Sequence, residues 1–244
     1  MSERFSRSLA FFFLFLVVAG PAVGEASDND RFTDNDIFWY GLAERLEYRA
    51  QDGKDGFLWD SQGWVGNDYN RLWLRAEGEA TFGEGVEDAE FQALYSRPIA
   101  RFWDFQAGAR YDVTPNPSRT YGVIGVQGLA PYWFEVVAAA FISDQGDITA
   151  RIEAEYEFLF TQRLILQPRA EMNIAFQDIP ELRTGGGFST LETGLRLRYE
   201  IKREIAPYIG IAWNRKLGDT ADFARLDGVD VGNLSFLVGL RLWY

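Results

Sequence analysis

Between residues 151 and 158 the chain reads RIEAEYEF. Arg151, Glu153, Glu155 and Glu157 take every second position, with Ile152, Ala154, Tyr156 and Phe158 between them. Carboxylates so spaced can serve as acids or bases, hold a hard cation, or draw cations along a path. Glu171 with Arg169, Glu77 with Glu79, and Arg196 with Arg198 repeat the two-residue spacing. No histidine and no cysteine occurs anywhere. The usual general base, the commonest metal ligand, thiolate chemistry and disulfides are thereby missing. Nothing singles out a dedicated carboxylate pair from the other charges, so no enzymatic activity is expected.

A strand positions residues this way, because a period of two sends alternate side chains to opposite faces. The same split recurs elsewhere. Leu164, Leu166, Ala170, Met172, Ile174 and Phe176 alternate with Arg163, Gln167, Arg169, Glu171 and Asn173; Leu195, Leu197, Tyr199 and Ile201 alternate with Arg196, Arg198 and Glu200; and Leu72, Leu74 and Ala76 alternate with Arg71, Arg75, Glu77 and Glu79. A chain that is 47% hydrophobic and 16% aromatic folds. Its net charge of −12 excludes a nucleic-acid partner.

The N-terminus sets the compartment. Arg4 and Arg7 precede the apolar run LAFFFLFLVVA (9–19), followed by the small-residue segment GPAVG (20–24). This is the pattern of a secretory signal peptide cut after Gly24, too short and too soon broken to span a bilayer as a helix. Residues 25–36 (EASDNDRFTDND) read as a flexible acidic lead-in, with structure over 37–244.

Counting period-two segments between turn signals gives about twelve strands, with ten or fourteen as alternatives. They lie near 37–49, 57–65, 69–80, 89–97, 101–112, 120–129, 132–142, 148–159, 163–176, 190–202, 206–217 and 233–244. Tight turns at 67–68, 97–99, 129–131, 161–162 and 203–204 alternate with longer polar connections at 50–56, 81–88, 113–119, 177–189 and 217–232. The expected fold is all-β: a transmembrane antiparallel up-and-down β-barrel in the bacterial outer membrane, with lipid as its partner on the outside. A soluble barrel would need a far larger core to bury so many apolar faces.

In a bilayer the apolar parity meets hydrocarbon and the charged parity must face the lumen. That lining comprises Arg45, Glu47, Arg49, Arg71, Arg75, Glu77, Glu79, Glu90, Asp104, Arg110, Glu135, Arg151, Glu153, Glu155, Glu157, Arg169, Glu171, Glu192, Arg196, Arg198, Glu200 and Arg241. Both signs are present, so much of it must be paired, and stiffening of the wall is one reading. The other is an ion path, for which Glu153, Glu155, Glu157, Glu171, Glu77, Glu79, Arg169, Arg196 and Arg198 are the candidates. Phe236, Val238, Leu240, Leu242 and Tyr244 alternate to a terminal aromatic, an ending that resembles the signal read by the barrel-assembly machinery, the expected partner in biogenesis.

The stretches IFWYGLAERLEYR (37–49), DYNRLWLRAEGE (68–79), FQALYSRPIARFWDFQAGARYD (91–112), PSRTYGVIGVQGLAPYWFEV (117–136), AEYEFLFTQRLILQPRAE (154–171) and ETGLRLRYEIKREIAPYIG (192–210) resemble the copper resistance protein B family. The resemblance implies an outer-membrane barrel of a copper-tolerance system, handling or passing copper and docking a periplasmic copper protein. Members of that family commonly carry a Met- and His-rich segment before the barrel; here the lead-in has neither residue. Met172 is the one methionine after Gly24, so copper contact is expected to be weak and no cofactor tightly bound. The alternatives are a general cation-permeable barrel and a structural barrel whose acidic loops meet an external partner. N-terminal sequencing of the protein from an outer-membrane fraction is expected to begin at Glu25; a start at Met1 would refute the processed leader.

Overall fold

A computed structural model describes residues 36–115 and 117–244. The signal-peptide reading of 1–24 and the lead-in through residue 35 lie outside these described residues. The strands are β1 (Phe38–Gln51), β2 (Gly56–Gly66), β3 (Arg71–Thr81), β4 (Gly85–Ala100), β5 (Trp103–Thr114), β6 (Arg119–Ala130), β7 (Phe134–Ser143), β8 (Ile148–Glu155), β9 (Phe158–Leu159), β10 (Leu164–Ala175), β11 (Gly187–Tyr199), β12 (Ile205–Lys216) and β13 (Gly232–Trp243), with one α-helix, α1 (Gly218–Asp227).

Neighbours in the wall run antiparallel, and β13 returns to pair with β1. Tyr244 completes the seam. Its N–H and C=O exchange hydrogen bonds with Gly41 at 2.8 and 3.0 Å, and its ring stacks on Trp39. β8 and β9 both lie against β10, so they are two pieces of one wall strand and the closed barrel has twelve. Pro168 of β10 causes the break between them. Tyr156 donates its N–H to the Pro168 carbonyl at 3.1 Å, but proline has no N–H to return, and the ladder lapses at Glu157.

Burial follows the alternation. On β13, Leu234, Phe236 and Val238 are 51, 64 and 60% exposed, whereas Ser235 and Leu237 are 5 and 2% exposed. Exposed aromatics collect at both ends of the wall: Trp39, Tyr95, Phe102, Tyr132, Trp133 and Tyr199 at one, Tyr48, Phe82, Tyr111, Phe176, Phe188 and Trp213 at the other. These are the interfacial girdles of a membrane barrel. The parity rule has one sizeable exception. Trp73, Leu94, Tyr121, Val123 and Phe141 point inward and pack together, so part of the lumen wall is apolar.

The rim that holds residues 36 and 244 carries the connections 67–70, 101–102, 131–133, 160–163 and 200–204. The turn expected at 97–99 instead falls at Arg101-Phe102, because β4 runs on through Pro98 with a bulge. On the other rim, three of the expected long loops shrink to 52–55, 82–84 and 115–118 as the strands extend past the girdle. Only 176–186 and 217–231 are long. The second of these contains α1, which sequence periodicity did not reveal. Thr220, Ala221 and Ala224 are its buried side, and Gly228 ends it in a left-handed conformation, φ 70°. The Thr220 hydroxyl accepts the Gly185 N–H at 2.9 Å, and Arg183 pairs with Asp227 at 3.0 Å, so the two long loops bind each other.

Near the seam, Glu47 of β1 is wholly buried. It accepts hydrogen bonds from Arg196 of β11 (2.6 Å), Arg49 (3.2 Å) and the Tyr208 hydroxyl of β12 (3.2 Å). Gly239 of β13 makes room for the Tyr208 ring, which a Cβ there would meet at 2.4 Å. Removing one partner of a buried charge cluster strands the others. Glu47→Ala is therefore expected to cost about 3–5 kcal/mol in a urea-unfolding midpoint series, and Tyr208→Phe about 1 kcal/mol. Equal midpoints for Glu47→Ala and wild type would contradict this.

Candidate functional site

Charged side chains on the inward parity of almost every strand meet in the middle of the barrel. Arg151 of β8 reaches across to Glu77 of β3 at 3.3 Å and Glu90 of β4 at 2.9 Å, and approaches Glu171 of β10 at 3.5 Å. Arg45 of β1 joins Asp60 of β2 (2.8 Å), Glu77 (2.7 Å) and Glu192 of β11 (3.8 Å). Arg169 of β10 joins Glu153 (2.5 Å), Glu171 (2.8 Å) and Glu192 (3.7 Å). Arg110 binds Glu90 and Asp112 at 2.7 and 2.6 Å, and its guanidinium lies 4.9 Å from the Phe141 ring centre. The carboxylates are shared between arginines, and the arginines between strands. The result is a septum spanning the lumen, in which most of the ions have opposite charges on more than one side.

Below the septum, toward the short-turn rim, the pattern changes. Glu44, Glu135 and Glu155 form no ion pair among the described residues; each is held by a glutamine amide instead. Gln62 donates to Glu44 at 3.2 Å, Gln127 to Glu135 at 3.4 Å and Gln167 to Glu155 at 2.8 Å. Two of these glutamines accept from an arginine on their other end, Gln127 from Arg75 at 2.6 Å and Gln167 from Arg198 at 3.0 Å. An amide between guanidinium and carboxylate accepts from the one and donates to the other, so the two meet no ion partner directly.

The three carboxylates border one cavity, with Asp60, Gln62, Arg75, Gln127 and the underside of the septum as its other walls. It offers about 70 Å³ to water, room for about five molecules. Within it Glu44 stands in the field of Glu155, Asp60 and Glu153 and of the Arg241 guanidinium, and Glu135 in that of Glu44, Glu153 and Arg241. A recess beside it lies between Glu44, Glu155, Gln167 and Arg196. Among the described residues, no three His, Cys, Asp or Glu side chains converge closely enough to hold a metal ion.

The residues singled out from sequence separate into different settings. Glu153, Glu171, Glu77 and Arg169 belong to the septum. Glu79 lies 3.8 Å from Arg49. Arg196 holds Glu47, and Arg198 holds Glu157 at 2.6 Å, which also lies 3.7 Å from Arg241. Glu155 alone of the nine lies in the cavity without an arginine partner. Phe236, Val238, Leu240 and Leu242 share the outward parity of β13, and Tyr244 sits at the seam.

Glu44 escaped the sequence reading because it stands on the wrong parity relative to Arg45. A β-bulge in β1 between Ala43 and Arg45 lets both face inward. The signal was there: two adjacent charges, Glu44-Arg45, in an otherwise alternating strand. Asp60 escaped because Gly56, Gly63 and Gly66 blur the alternation of β2.

The sequence profile of the family described as Copper resistance protein B precursor (CopB) matches residues 37–244. The chain is 46% identical over 225 residues to the Copper resistance protein B homolog of Pseudomonas syringae pv. tomato, covering 91% of this chain and 76% of that one. It is 42% identical over 211 residues to Copper resistance protein B of Escherichia coli, covering 86% and 71%. Among solved structures the barrel is similar to the NanC porin, with a TM-score of 0.56 at 13% identity over 83% of this chain and 98% of that one. The last likeness is one of fold; the match along the sequence is what places this chain in the copper resistance protein B family.

Proposed function

We propose that this chain is an outer-membrane, non-catalytic component of bacterial copper tolerance, whose lumen attracts hydrated copper ions at Glu44, Glu135 and Glu155. The observation that carries the reading is the glutamine spacing of these three carboxylates. Every other acidic group of the central lumen is ion-paired with an arginine, whereas these three have a glutamine amide in that place, at the edge of a water-sized cavity. Ligand chemistry favours Cu(II) over Cu(I), since oxygen donors line the site and soft sulfur or imidazole donors do not. Contact through the metal's water shell also fits the lack of a converging ligand set. The short-turn rim, periplasmic in barrels of this plan, is where a periplasmic copper protein would dock.

A structural or generally cation-permeable barrel without copper preference is the second reading, and the septum favours its structural form. A strain lacking the gene separates them. Wild-type barrel is expected to restore growth on copper salts, and Glu44→Gln/Glu135→Gln/Glu155→Gln to restore it only in part. Calorimetry with Cu(II) on the refolded protein should give saturable heat that the triple variant loses. Full rescue by the triple variant would remove the carboxylate cavity from the mechanism.

A further inference from the structure

The exposed cations of the barrel differ in what stands beside them. At the long-loop rim Lys54 is paired with Glu84, Arg225 with Asp222, and Arg183 with Asp227, while Arg215 lies over the Trp213 ring at 5.8 Å without an ion pair among the described residues. At the short-turn rim Arg97, Arg101, Arg163, Lys202 and Arg203 are all exposed, and among the described residues none forms an ion pair.

Two of them stand where lipid meets the wall. Arg97 shares the outward parity of β4 with Phe91, Tyr95 and Ile99, which are 39, 46 and 62% exposed. Arg101 lies in the two-residue turn that follows, its guanidinium 5.4 Å from the Phe102 ring centre. Phe102 meets Trp133 edge-on at 6.2 Å, and its carbonyl accepts the Leu129 N–H at 3.0 Å, fixing the turn beside the next connection. Trp133 and Tyr132 are 69 and 84% exposed. Exposed rings of this kind settle at headgroup depth, so the two guanidinium groups lie at the level of lipid phosphates.

We propose that Arg97 and Arg101, braced by Phe102 and Trp133, form a binding site for the headgroup of an anionic phospholipid in the leaflet at the short-turn rim. The guanidinium N–H groups donate to phosphate oxygens, and the acyl chains run along Ile99 and Phe105. An anionic headgroup matches two cations that have no ion-pair partner among the described residues, whereas a zwitterionic one brings its own positive charge against them. The site is independent of how the lumen treats copper.

Native mass spectrometry of the folded barrel with equal amounts of phosphatidylglycerol and phosphatidylcholine tests this. Wild type is expected to retain phosphatidylglycerol in excess, and Arg97→Gln/Arg101→Gln to cut that excess at least about fivefold. Arg97→Lys/Arg101→Lys should keep much of it, and Arg215→Gln at the other rim all of it. Should the double glutamine variant not fold, Arg97→Gln and Arg101→Gln singly carry the same comparison. Equal retention of the two lipids by wild type, or an undiminished excess in the glutamine variants, would overturn the proposal.

Discussion

Hydrocarbon offers no hydrogen bonds and does not screen charge, and from that one constraint most of this architecture follows. Every backbone N–H and C=O in the wall must find a partner within the sheet, so the sheet has to close. Tyr244 meeting Gly41 is the closure. Every ionised side chain must turn inward, so the charges of all the strands are driven into one narrow space, where each must be paired or hydrated. The septum and the cavity beneath it are the two ways this barrel meets that demand. Arginine-shared carboxylates are paired; glutamine-held carboxylates border a cavity with room for water.

How far this could be read from residues alone varied with the kind of signal. Alternation is set by strand geometry, so the strand count, the closed barrel and the inward direction of Glu153, Glu155, Arg169 and Arg196 followed from it. Partner identity depends on register and on distances across the lumen, which no local pattern encodes. Thus Glu155 and Glu153, two residues apart on one strand, have opposite settings: one beside Gln167, the other beside Arg169. The bulge at Glu44-Arg45 and the break opposite Pro168 are single-residue departures from periodicity. A rule of parity passes over both, although the adjacent charges and the proline were visible. Helix α1 was hidden because the acidic composition of 217–232 reads as loop, and its short buried side, Thr220, Ala221 and Ala224, is too small to set a period.

The apolar patch inside the lumen also answers to the same constraint. Phe141 lies 4.9 Å from the Arg110 guanidinium and 5.8 Å from that of Arg151, and Trp73 lies 5.5 Å from that of Arg75. Flat rings give the guanidinium groups a surface to lie on without adding charge. The arginine side chains are held along the wall, with their edges free to bridge across it. Gly194 serves the same end on β11, since a Cβ there would stand 2.6 Å from Nη1 of Arg196.

The bond between Glu47 and Arg196 joins the first strand of the wall to its third from last, across the seam. Until β1 meets β13, these two groups have no means of reaching each other. A half-assembled sheet therefore keeps them wet, and sealing the cylinder and drying its centre become a single cooperative event. The final step of biogenesis is thereby made steep: a curled but unsealed intermediate gains little, and the finished wall resists reopening.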